Sequence, residues 1–116
     1  MASAPPLLQL LESQQHEYRT ALQQSLAAME AAWRRARDAE PRSQALAELE
    51  RIAHTVAGSA LTFGFVAAGE AAHNLELALH YLVTRRRPWS AGVELTVDLL
   101  LDRLRVAIGK AAPGGS

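Results

Sequence analysis

Breaks at Pro41, Gly64 and Pro88 divide the chain into runs in which apolar residues recur every three or four positions, a division that leaves little choice of architecture. Ser3 and Pro6 open the first run, since proline is tolerated in the first turn of a helix. From Leu7 to about Arg37 the stripe is Leu8, Leu11, Tyr18, Leu22, Leu26, Met29 and Trp33. This run reads either as one long helix or as a short extra N-terminal helix followed by a break near Ser13. Asp38-Ala-Glu-Pro41-Arg-Ser43 is a connection, and periodicity resumes from about Gln44 to Phe63, where Gly64 stops it. A third run, from about Val66 to Arg86, carries Ala68, Ala71, Leu75, Ala78, Leu79 and Leu82, and Pro88 closes it because proline cannot continue the backbone ladder. A fourth, from about Ala91 to Ile108, carries Val93, Val97, Leu100, Leu101, Leu104 and Ile108. Alanine and leucine abound and β-branched residues are scarce. The expectation is an all-α fold, an up-and-down antiparallel four-helix bundle over residues 1–111, with 112–116 as a flexible tail or linker.

Composition narrows the functional classes. At 116 residues with 49% hydrophobic and 21% charged side chains, the chain fits one globular domain with a core of its own. Twelve basic residues balance twelve acidic ones, so no net field draws the chain to nucleic acid or to an anionic membrane. The triplet Arg85-Arg-Arg87 is explained by the helix dipole, which favours cations at a helix C-terminus. The absence of cysteine excludes disulfides, thiolate metal sites and a cysteine nucleophile. The N-terminal sequence MASAPPLLQLLESQ has no basic region ahead of a long apolar run, and no segment has the apolar length of a membrane span. A cytoplasmic location is expected.

One helix face stands out. At about 100° per residue, the second run places Leu49, Ile52, Ala53, Val56, Ala60 and Phe63 on one broad side and His54 opposite them, toward solvent. One turn further on are the small residues Ala57 and Gly58, and two turns on is Leu61. A titratable ring on so low a platform is accessible to a macromolecule, and another protein is the expected partner.

The stretch His54-Thr-Val-Ala-Gly-Ser-Ala-Leu-Thr-Phe-Gly-Phe65 resembles the signature of histidine phosphotransfer (HPt) domains, including the one at the front of chemotaxis histidine kinases. In that family the pattern is His, two residues, Lys-Gly, a small-residue turn and a Gly-flanked aromatic. The resemblance is close from Glu48 to Leu79. It implies that His54 is the phosphorylated residue and that Glu76 and His73 stand where the chemotaxis domains carry a glutamate and a second histidine near that ring. Ala57 occupies the place of the family lysine.

Chemistry supports the same assignment. A phosphoryl carrier needs a neutral imidazole with its distal nitrogen unprotonated, the form ordinary imidazole adopts above a reference pKa of about 6.5. A carboxylate that accepts the other ring N–H fixes the tautomer and steadies positive charge on a phosphorylated ring. Glu76 is the candidate, because helices joined at Gly64 as antiparallel neighbours bring residues at similar distances from the turn side by side. Gly69 on the same strip permits close approach, and His73, one turn from Glu76, would join the network. Arg51, Ala57, Gly58 and Leu61 form the expected docking face.

Competing signals are weak. Glu70-x-x-His73 matches half of a di-iron motif whose second Glu-x-x-His is missing from the chain. His73, Glu76 and His80 share a strip that would hold at most an adventitious metal, and His16 and His80 read as surface residues. Thr55 and Ser59 lack the elbow and oxyanion donors of a hydroxyl nucleophile. No Gly-rich phosphate loop or nucleotide fingerprint is present, so an autonomous enzyme is not expected.

The expected function is a phosphoryl carrier in a two-component phosphorelay, with a response-regulator receiver domain, a histidine kinase or both as partners. It is expected to act as a monomer without a cofactor of its own, the receiver supplying Mg²⁺. The alternative is an interaction-only bundle that binds a receiver or kinase without carrying phosphate, a reading that Ala57 keeps open.

Overall fold

The structure, a computed structural model, describes residues 6–38, 41–85 and 88–110. Ser3, Ala39 and Glu40 of the first connection, Arg86 and Arg87 of the arginine triplet, and the tail lie outside the described residues. Four helices account for the fold: α1 (Pro6–Asp38), α2 (Arg42–Thr62), α3 (Val66–Thr84) and α4 (Ala91–Lys110). Each packs on its neighbours in sequence and α4 closes onto α1, with no diagonal contact among the described residues, as in an up-and-down bundle. Leu22, Met29, Leu49, Leu75, Leu79, Val97 and Leu104 fill the centre.

The closest seam joins α2 to α3. Ala53, Ala57 and Ala60 on one side and Ala68, Gly69 and Ala72 on the other are all buried, so small side chains let the backbones approach. A Cβ on Gly69 would lie 3.0 Å from the Leu61 side chain and 3.5 Å from the Ala57 carbonyl oxygen, which leaves room for glycine alone without local shifts. The turn between the two helices is tightly specified. Gly64 adopts φ +85°, its N–H donates to the Leu61 carbonyl, and the Phe65 N–H donates to the Ala60 carbonyl, satisfying carbonyls that the helix end would otherwise leave open.

α1 differs from its expected form. Its 33 residues run without a break at Ser13, so among the described residues there is no short extra N-terminal helix. The segment around Ser13 contains neither proline nor glycine, and one serine costs only a few tenths of a kcal/mol in a helix. At 1.5 Å per residue α1 is about 50 Å long against about 30 Å for the others. It therefore overhangs the bundle, which measures 64 × 20 × 20 Å. Gln15 reaches the Phe63 carbonyl at 3.4 Å and marks the level of the α2–α3 turn. Leu8 and Leu11, part of the expected buried stripe, lie beyond that level and are exposed because no partner helix extends so far.

Tyr18 clamps α1 onto the turn. Its ring stacks on Phe63 at 4.5 Å and leans on Phe65 at 5.5 Å. The Ser59 hydroxyl donates to the Thr55 carbonyl, so the Tyr18 hydroxyl donates to Ser59 Oγ, 2.6 Å away. Burial pushes the Tyr18 hydroxyl above its ordinary value near 10. A raised folded value favours the folded state fully below the ordinary tyrosine range, and this contribution is lost as pH rises through the folded value. Tyr18→Phe should cost about 1 kcal/mol at neutral pH and flatten the alkaline limb of the stability profile. Tyr18→Ala, which also loses the stack, should cost about 2–3 kcal/mol. Urea unfolding at neutral and alkaline pH checks both; equal stability of Tyr18→Ala and wild type would remove the clamp.

At the opposite end, Trp33 Nε1 donates to Asp98 at 2.6 Å and Arg42 lies 4.1 Å from the Trp89 ring centre, tying α1, α2 and α4 together. Ser90, just before α4, accepts from the Val93 N–H at 3.2 Å, the bond of an N-cap.

Candidate functional site

α2 holds His54 on its outer face because Ala53 and Val56, its neighbours on the inner side, are buried in the core. The imidazole is 75% exposed. Its Nδ1 is hydrogen-bonded to Glu76 Oε2 on α3. An ionised carboxylate only accepts, so the ring must carry its proton on Nδ1, leaving the Nε2 lone pair pointing outward with no partner among the described residues. Glu76 is only 20% exposed and sits in the seam between α2 and α3. A largely buried acceptor thus orients an accessible ring.

The other candidates divide. His73 Nδ1 lies 3.6 Å from Glu76 Oε1, within ion-pair range but too far for a hydrogen bond, so the structure brings it to the carboxylate only loosely. Arg51 is exposed one turn before His54 and makes no ion pair among the described residues. A Cβ on Gly58 would meet nothing within 4 Å, so internal packing does not require glycine there. What glycine does is keep the surface low one turn beyond the ring. Leu61 is exposed and completes the platform.

Ala57 departs from its expected place on the exposed docking face. It is only 8% exposed, because α3 approaches α2 so closely at Gly69 that the seam covers it. A side chain longer than alanine must climb out of that seam to reach the surface.

A second His–Glu pair spans the seam one turn away. His80 Nδ1 lies 2.9 Å from Glu50 Oε1, so His80, read from sequence as a bare surface residue, has a carboxylate on its ring. The available signal was the repeated spacing Glu50-x-x-x-His54 and Glu76-x-x-x-His80. Ser59 and Thr55 are engaged elsewhere, Ser59 with Tyr18 and the Thr55 carbonyl, Thr55 with the Arg51 carbonyl at 3.1 Å. Among the described residues no three His, Asp or Glu side chains converge as a metal site, and no helix is long and apolar enough to cross a membrane.

An exposed imidazole with its Nδ1 bonded to a carboxylate that can balance positive charge, and a low surface around it, form a nucleophile suited to a large electrophilic partner. A family model described as the Hpt domain matches residues 6–107. No curated protein and no solved structure matches the chain.

Proposed function

The chain belongs to the Hpt domain family of histidine phosphotransfer modules, and from that premise we propose that it carries phosphate on His54 within a two-component phosphorelay. The observation that carries this reading is the exposed imidazole whose Nδ1 is bonded to Glu76 across the α2–α3 seam. In the proposed reaction Nε2 attacks the phosphoaspartate of a receiver domain, the N–P bond forms, the acyl P–O bond breaks, and the aspartate carboxylate leaves. The ring keeps its Nδ1 proton and becomes cationic, and Glu76 balances that charge. Return to a receiver reverses the step, and a kinase is the other source of phosphate. Mg²⁺ and most of the charge stabilisation belong to the receiver. Arg51, Gly58 and Leu61 are the docking surface, and we place the carrier in the cytoplasm as a monomer.

The interaction-only reading rests on Ala57, which lacks the cation of the family signature. Water and salt screen an exposed charge heavily, so the deficit is modest, and Arg51 on the same face supplies a substitute. A transfer time course with phosphorylated receivers from the source organism tests the choice. Wild type should accept phosphate, Arg51→Ala should slow transfer about two- to fivefold, and Ala57→Lys should accelerate it by no more than about that factor. A wild type that binds a receiver yet takes no phosphate, with transfer restored by Ala57→Lys, would establish the interaction-only reading.

A further inference from the structure

The spacing Glu-x-x-x-His occurs on both sides of one seam, from Glu50 to His54 on α2 and from Glu76 to His80 on α3. Antiparallel neighbours run in opposite directions, so a step toward the C-terminus of α2 is matched by a step toward the N-terminus of α3. The register is constant along the seam: Glu50 meets His80, His54 meets Glu76, and Leu61 meets Gly69. A local two-fold axis across the seam therefore exchanges the two His–Glu pairs.

The equivalence extends to chemistry. His80 is 65% exposed and Glu50 22%, close to the 75% and 20% of His54 and Glu76. The Glu50 carboxylate accepts the His80 Nδ1–H and leaves Nε2 outward, without a partner among the described residues. An exposed pair of this kind contributes at most about 1 kcal/mol to stability, so its larger effect is on the ring it holds.

We propose that His80 is a second phosphoryl-accepting histidine, which takes phosphoryl groups from small donors such as phosphoramidate rather than from a receiver domain. The discrimination lies in the surroundings. Gly58 keeps the surface low one turn from His54, whereas His80 has the exposed side chains of Leu77 and Val83 one turn away on either side. Those side chains obstruct a flat protein surface but leave a small molecule a path to Nε2. With phosphoramidate in its N-protonated form, the Nε2 lone pair forms the N–P bond, the P–N bond of the donor breaks, and ammonia leaves with the bonding pair and the proton it already carries. The ring retains its Nδ1 proton, and Glu50 balances the positive charge.

The experiment treats the whole chain with phosphoramidate, without any receiver, and maps phosphohistidine over time by mass spectrometry under alkaline conditions. His54 and His80 should both become labelled, each about tenfold or more faster than His16, which is exposed without a carboxylate on its ring among the described residues. Glu50→Gln should slow His80 labelling about tenfold while leaving His54 unchanged, the unchanged site reporting an intact bundle. In His54→Gln, His80 should still be labelled. Labelling of His80 no faster than His16, or insensitive to Glu50→Gln, overturns the proposal, as does equal slowing of both sites. Because no receiver is present, failure here leaves the relay reading untouched, and failure of receiver transfer leaves this result standing.

Discussion

His54→Gln is expected to abolish phosphoryl transfer from a phosphorylated receiver while leaving the bundle folded. The side chain is 75% exposed, so its replacement should change stability by no more than about 0.5 kcal/mol. Glutamine retains an amide donor for Glu76 and presents no nucleophilic nitrogen. In wild type the product should be acid-labile and base-stable, the behaviour of a phosphoramidate, and confined to His54. His16, His73 and His80 do not combine a ring hydrogen-bonded to a carboxylate with a low surface around it, so the receiver should not label them. The readout is receiver-dependent labelling followed by residue mapping; labelling that survives His54→Gln overturns the assignment. Incubation of the chain with ATP alone should give no label, since the sequence carries no nucleotide fingerprint. Steady ATP-dependent self-labelling would contradict the carrier reading.

Helix content and order were legible because the apolar period and the breaks at Pro41, Gly64 and Pro88 are local properties. The extent of α1 was not. Leu8 and Leu11 continue the stripe of Tyr18 and Leu22, and a stripe on one helix does not say where its partners end. That depends on the placement of the α2–α3 turn beside Gln15, a tertiary fact. The burial of Ala57 has a similar origin. Helical spacing puts it near His54 at the edge of the outer face, and only the close approach permitted by Gly69 brings α3 over it.

Within the site, the proximity of His54 and Glu76 was readable because both lie at similar distances from Gly64 along antiparallel arms. The same spacing rule applies to Glu50 and His80, yet no small-residue platform or aromatic turn follows His80 to distinguish it from an ordinary surface histidine. The Tyr18 clamp was hidden for another reason. Helical period identifies Tyr18 as inward-facing, but stacking on Phe63 and donation to Ser59 depend on the rotation of α1 about its axis.

Glu76→Ala is expected to slow phosphorylation of His54 by about ten- to a hundredfold, the range typical of groups that orient a reacting histidine. That corresponds to about 1.4–2.7 kcal/mol of barrier. Without Glu76 the ring is free to place its proton on Nε2, which removes the nucleophile from part of the population, and the positive charge of the phosphorylated ring loses its counter-ion. The bundle should remain folded, because the exposed ring of His54 can bond water once its acceptor is gone. Glu76→Gln separates the two contributions. Its amide oxygen still accepts the Nδ1–H and holds the tautomer but supplies no charge, so its rate should fall between wild type and Glu76→Ala. Ring-nitrogen NMR gives the tautomer populations beside the transfer rates: Glu76→Ala should shift the His54 proton toward Nε2, and Glu76→Gln should leave it on Nδ1. Unchanged tautomer and unchanged rate in Glu76→Ala would remove this carboxylate from the site, whereas a slowed rate with the wild-type tautomer would assign its effect to charge alone.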